Sequence, residues 1–395
     1  MKPVTASLVL FASLFIVTPA GATDDPFACP AGSVQWTGNA GDGKWSTAGN
    51  WSTHKVPGPT SNVCIPTFGQ ADATPPISVN SIKVTEGGTL IILGSGKAGA
   101  SLSVATSLTM PGFIEMYDGT TISAGSIDMP NPGQIAVYGN STITSPAFSN
   151  STGTLWVYPG ANLRLTDNPV QLQNGTLSGG IWYVNDTGVL TIPSDISQIT
   201  TEPGAAFWTV VDVQGSGSLR DASGNNVLAT LTSVGSDAVL DAPSLTLDHD
   251  LTCQGEVNVN SLTINGTYTV ESGGSSGVGS LSATSVIVQP GGFLSGGTVA
   301  TSITNNGTVS LQTVTGNYTQ TAGAAMSETF GYGLIVKGNA TLSGALNVTF
   351  SPKHPPPSGA KYTALAAGSL SGSFTSHTAG FTLTTSANGI QVTKQ

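Results

Sequence analysis

Apolar and polar residues alternate along this chain in short bursts, and each burst follows a corner that contains glycine. The phrase appears as Glu86-Gly87-Gly88-Thr89-Leu90-Ile91-Ile92 and as Pro111-Gly112-Phe113-Ile114-Glu115-Met116-Tyr117. It returns as Pro132-Gly133-Gln134-Ile135-Ala136-Val137-Tyr138 and as Thr152-Gly153-Thr154-Leu155-Trp156-Val157-Tyr158. Further copies start at Thr187, Asn265, Pro290 and Asn306. A second type of strand lies between them, as in Ser81-Ile82-Lys83-Val84, Ser244-Leu245-Thr246-Leu247 and Ser285-Val286-Ile287-Val288. The clearest neighbouring copies recur at roughly 16–24 residues, a spacing typical of β-solenoids.

Period two sends successive side chains to opposite faces of a strand. One set is aliphatic and needs an interior. The other is rich in Thr and Ser and suits water. A single coil cannot bury its apolar side alone, so coils must stack to make a core. The expected fold is therefore all-β: a right-handed parallel β-helix over residues 76–350, about 12 coils and near 60 Å long. A Trp-rich N-terminal capping segment is expected over 23–75, and a C-terminal β capping segment over 351–395. The competing architecture is an antiparallel sandwich, in which Asn174-Gly175 and Asn265-Gly266 would turn hairpins.

Composition sharpens this reading. Only 8% of residues are charged, while 51 are glycine, as befits a strand-rich chain that keeps itself soluble with hydroxyls and amides. The formal net charge of −10 argues against nucleic acid, whose phosphates need a basic footprint, and disfavours anionic membrane surfaces. Met1-Lys2, the apolar run Ala6 to Val17 and the small residues Ala20-Gly21-Ala22 read as a signal peptide over 1–22. The chain is thus expected to be secreted, extracellular or at the cell surface. No later apolar run has membrane-spanning length, so no membrane span is expected once the leader is removed. Cys29 and Cys64 can pair in an oxidising compartment, which leaves Cys253 as a thiol that packs like a small hydrophobe.

The segment before the repeats differs from them. It reads Trp36-Thr37-Gly38, Gly41-Asp42-Gly43-Lys44-Trp45-Ser46, Asn50-Trp51, Val56-Pro57 and Val63-Cys64-Ile65-Pro66. This pattern resembles the entry segment of bacterial autotransporter passengers and related secreted, adhesin-like β-helix proteins, over about one-eighth of the chain. Asn62 stands where that pattern has Asp. The stretches Tyr332 to Val348 and Pro355 to Phe374 resemble the closing segment of the same class. The resemblance implies a surface or matrix protein. The tryptophans have two readings, a cap over an open coil end or a sugar-stacking platform.

The residues give no strong sign of catalysis. Paired carboxylates of glycosidase type, a Gly-His-Gly turn and an Arg-x-Lys are all missing, and Arg164 and Arg220 are the only arginines. Asp248-His249-Asp250 is the densest ionisable spot, but a strand would split it across two faces. No spacing of metal-ligand type occurs, and no cofactor is expected. The leading expectation is a non-catalytic structural and adhesive protein whose partners are polysaccharide or cell-surface components. The alternatives are a carbohydrate-binding protein that uses Tyr117, Tyr138, Trp156 and Tyr158, or a polysaccharide lyase or hydrolase with a site assembled across coils. Sequons at Asn140, Asn150, Asn174, Asn185, Asn265, Asn306, Asn317, Asn339 and Asn347, with a tenth at Asn50, are candidate glycosylation sites.

Overall fold

The computed structural model describes residues 25, 27–74, 76–94, 100–202 and 205–395. The expected leader lies outside the described residues. The chain is a parallel β-solenoid. Each strand pairs in register with its counterparts in the preceding and following coils, as when Gln134–Val137 lies between Phe113–Met116 and Thr154–Val157. One face stacks Asn62–Ile65, Ser81–Val84, Ala100–Thr109, Thr120–Asp128, Asn140–Thr144 and Asn162–Leu165. A second face runs from Gln70–Ala73 through Thr154–Val157, Ile181–Val184 and Thr209–Val213 to Ala238–Leu247, and on towards the C-terminus.

The alternation predicts the interior correctly. Leu90, Ile114, Ile135, Leu155, Trp182, Val211 and Leu240 follow one another in register along the second face, and all are buried. Burying such side chains contributes roughly 1.5–3 kcal/mol each. No coil can realise that gain without its neighbours.

The glycine corners have two jobs. In Pro290-Gly291-Gly292 the first glycine has φ +83°, a left-handed conformation that side chains resist. The second sits on the coil beneath, where a Cβ would meet the carbonyl oxygens of Val270 at 2.7 Å and Glu271 at 2.8 Å.

The two Asn-Gly sites part ways. Asn174 and Gly175 both have positive φ and turn a true hairpin, with Leu172 opposite Leu177. Asn265-Gly266 is instead a corner between parallel strands, for Glu256–Ile264 and Thr267–Val270 each pair with other coils. The sandwich alternative therefore falls.

Both capping segments are wound into the coil. Parallel pairing begins before 76, where Val34–Gln35 joins Asn62–Ile65. It continues past 350, where Lys361–Gly372 joins Leu334–Leu342. A parallel edge is best satisfied by another parallel strand, so the boundaries expected at 76 and 350 do not mark where stacking starts and stops. At the N-terminal end Trp36, Trp45 and Trp51 are buried edge to face, and the indole of Trp51 donates to the carbonyl of Trp45 at 2.8 Å. A disulfide joins Cys29 to Cys64. These tryptophans pack the cap and offer no sugar platform. At the other end the antiparallel strands Phe381–Ser386 and Gly389–Lys394 close over the last coils.

Candidate functional site

The second face carries a row of outward side chains with its own chemistry. Register aligns Glu115, Ala136, Trp156, Tyr183, Asp212, Asp241, Asn258 and Gly277 on successive coils. All occupy the same outward position of the alternating phrase. One pleat further along, Tyr117, Tyr138 and Tyr158 form a parallel column.

The four aromatics expected to bind ligand are therefore brought together, and they face outward. Tyr117 stacks on Tyr138 with centroids 5.0 Å apart, and Tyr138 on Tyr158 at 4.4 Å. Trp156 lies 6.0 Å from Tyr158 and 4.6 Å from Tyr183. Stacking in this direction has a consequence that the sequence does not reveal. The rings use their π faces on one another, and the Tyr117 hydroxyl donates to Glu115 at 2.9 Å, so the middle of the column cannot sandwich a sugar. Ala136 shows how tight the cover is, since it points outward and is only 1% exposed.

The column ends at Tyr183. Its register neighbour on the far side is Asp212, and the row then drops from rings to Asp241, Asn258 and Gly277. This step makes a shallow, open cleft of about 380 Å³, lined by Asp212, Gln214, Asp241, Asn258, Asn260 and the glycines at 277 and 279, among others. A second hollow of about 390 Å³ adjoins it, between exposed Trp208 and Glu256.

The carboxylates are tied down. Gln214 donates to Asp212 at 3.1 Å, and Asn258 donates to Glu256 at 2.8 Å. Burial lifts the Asp212 carboxyl above its ordinary value, with the Gln214 bond working against it. Burial also lifts Asp241; Asn258 opposes this, while the charges of Asp212 and Glu256 reinforce it. Burial and then Asp212 and Asp241 push the Tyr183 phenol upward. The cleft thus combines partly desolvated carboxylates with amides, and Tyr183 stands next to its first acid in the register.

Sequence reasoning missed Tyr183, Asp212, Asp241 and Asn258. The available signal was an acid at the outward mid-strand position of an otherwise apolar phrase, as in Val210-Val211-Asp212-Val213 and Val239-Leu240-Asp241. Neither a family model nor a curated protein matches the chain.

The other singled-out residues take structural roles. Asp248 accepts from Asn265 at 2.8 Å, and Asp250 accepts from the backbone of Thr267 at 2.7 Å. His249 reaches the carbonyls of Asp250 and Ala229. The three residues are a corner brace. Among the described residues no group of three or more His, Cys, Asp or Glu side chains is arranged to hold a metal ion.

The sequons divide by exposure. Asn140, Asn174, Asn265, Asn317, Asn339 and Asn347 are exposed, while Asn185 and Asn306 are half-buried. Asn150 and Asn50 are fully buried. The amide of Asn150 donates to the carbonyl of Ile181 at 3.3 Å, and that of Asn50 to Asp42 at 2.6 Å. The folded chain presents neither to a glycosylating enzyme.

Proposed function

We propose that this chain is a secreted, non-catalytic adhesive rod of a cell surface or extracellular matrix, akin to adhesin-like β-helix proteins, and that it grips polysaccharide at the cleft beside Tyr183. One observation carries the reading: a column of stacked rings ends in register with two carboxylates and a set of amides over an open cleft. Sugar sites combine a flat apolar surface with a few directed polar groups. The open, shallow form suits a polymer lying across the face better than a small molecule that must be enclosed. The test is a glycan array probed with the chain lacking residues 1–22, compared with a Tyr183→Ala variant. Binding of at least one polysaccharide class that weakens in the variant is expected; an array with no signal above background rejects the reading.

A second reading has its own support. Asp212 and Asp241 stand one interstrand step apart, about 4.8 Å between backbones. Two carboxylates on one face of neighbouring strands are the kind of pair that retaining glycosidases use, with their carboxyls roughly 5–5.5 Å apart. A depolymerisation screen scored by new reducing ends decides between holding and cutting. Cleavage abolished by Asp241→Asn would establish the hydrolase and displace the adhesive role.

A further inference from the structure

We infer that the polysaccharide taken by this face is built of amino sugars with free amines, whose ammonium groups sit over the carboxylates of Asp212 and Asp241 while a sugar ring lies against Tyr183. This inference rests on the glycan-binding reading and adds the charge class of the ligand.

Asp212 and Asp241 are adjacent in register, and Glu256 follows Val239 on the next coil. The flanking outward positions Val210, Val239, Ser275, Gln214 and Asn260 carry no basic side chain. Two neighbouring carboxylates repel each other and are costly to keep partly desolvated. A cation held between them relieves both penalties; a uronate or a sulfate aggravates them. Geometry adds a second constraint. Tyr183 lies in the register between Trp156, whose ring it meets at 4.6 Å with planes inclined by 43°, and Asp212. A pyranose placed there contacts the ring through C–H groups, and its substituents reach the acids of the next two coils. Gln214 and Asn258 stand beside them to take hydroxyls.

Sugars are favoured over basic peptides because of the flat wall and the amides. A lysine side chain gains a cation–π contact from Tyr183 but has no hydroxyls for the amides of Gln214 and Asn258.

The experiment measures Kd by calorimetry near neutral pH for four hexamers: β-1,4-glucosamine, its N-acetylated form, galacturonate and lysine. The proteins are the wild type, the isosteric double variant Asp212→Asn/Asp241→Asn, and Tyr183→Ala, each checked by thermal melting for an unchanged fold. The glucosamine hexamer is expected to bind at least about tenfold tighter than the other two sugars. That preference should vanish in the double variant, and Tyr183→Ala should weaken both amino sugars. Equal binding of the acetylated hexamer, untouched by the Asn substitutions, overturns the charge class and leaves the glycan reading standing. So does tighter binding of galacturonate. Lysine hexamer binding that matches glucosamine overturns the sugar itself. Failure of every oligosaccharide overturns this inference and the glycan reading together.

Discussion

The ring of Tyr138 lies on that of Tyr158 with centroids 4.4 Å apart and planes inclined by 27°. With Tyr117 on its other side at 5.0 Å, Tyr138 has neighbours on both faces. Its first role is to brace the coils from outside. Tyr138→Ala is expected to lower stability by about 1–3 kcal/mol, through lost stacking and burial. Tyr138→Phe should be near neutral. Urea unfolding followed by circular dichroism measures both. A destabilisation by Phe as large as that by Ala would assign the effect to the hydroxyl and not to the stack.

Glu328 gives the protein a pH dependence. Its side chain is buried at 5% exposure, and one carboxylate oxygen finds no hydrogen-bond partner among the described residues. Burial pushes its pKa from 4.5 to about 8. The unfolded chain releases this proton near the ordinary value, while the folded chain keeps it until about 8. The folded state therefore binds more protons between those limits. Stability falls as pH rises through that window and stays low above it. Glu328→Gln should flatten the profile and raise stability at about pH 9 by a few kcal/mol. Parallel pH profiles of the two proteins would show that Glu328 is not the cause.

Cys253 is expected to be inert. It is fully buried, its thiol contacts the carbonyls of Gly255 and Ser275 at 3.4 and 3.5 Å, and burial raises its pKa to about 12. A thiol-labelling reagent should leave it unmodified in the folded protein and react once denaturant is added. Rapid labelling without denaturant would mean that this part of the coil opens.

The disulfide should matter at one end only. It links residues 35 apart, a loop whose closure is worth about 3–4 kcal/mol in the chain-entropy account. Reduction is expected to loosen the segment that holds Trp36, Trp45 and Trp51, seen as a red shift of tryptophan emission, before the coil's circular dichroism changes. Simultaneous loss of both signals would mean that cap and coil unfold as one unit.

Gly292→Ala tests the corners. The added methyl meets backbone oxygens that cannot move aside, those of Val270 at 2.7 Å and Glu271 at 2.8 Å. A loss of about 1–3 kcal/mol is expected from the overpacking. Gly323→Ala serves as the control, since its Cβ meets nothing within 4 Å. Equal melting temperatures for the two variants would contradict the close approach.

Much of the fold was legible because alternation is local. That Trp156 and Tyr158 share one face and Leu155 and Val157 the other can be read from four residues; which face turns inward is settled by the structure, which buries Leu155 and Val157. The site was not legible, because it depends on which coil lies on which. Trp156 meets Tyr183 only because the chain between them makes room for the hairpin from Leu172 to Ser178, and Asp212 meets Asp241 across another long excursion. Further on the coils shorten, and Val257 already lies under Ser276. No fixed period predicts these neighbours. The stacking direction of the tyrosines was equally hidden, since sequence places them on one face without saying how the rings turn.

The hairpin turned by Asn174-Gly175 is built into the wall of the coil: Leu172 and Leu177 are buried in the core, and Thr176–Ser178 pairs in parallel with Gln198–Thr200. Its tip, Gln173 and Asn174, is exposed. Evolution can thus recode that tip and change what the molecule touches there, while the inherited scaffold keeps its alignment.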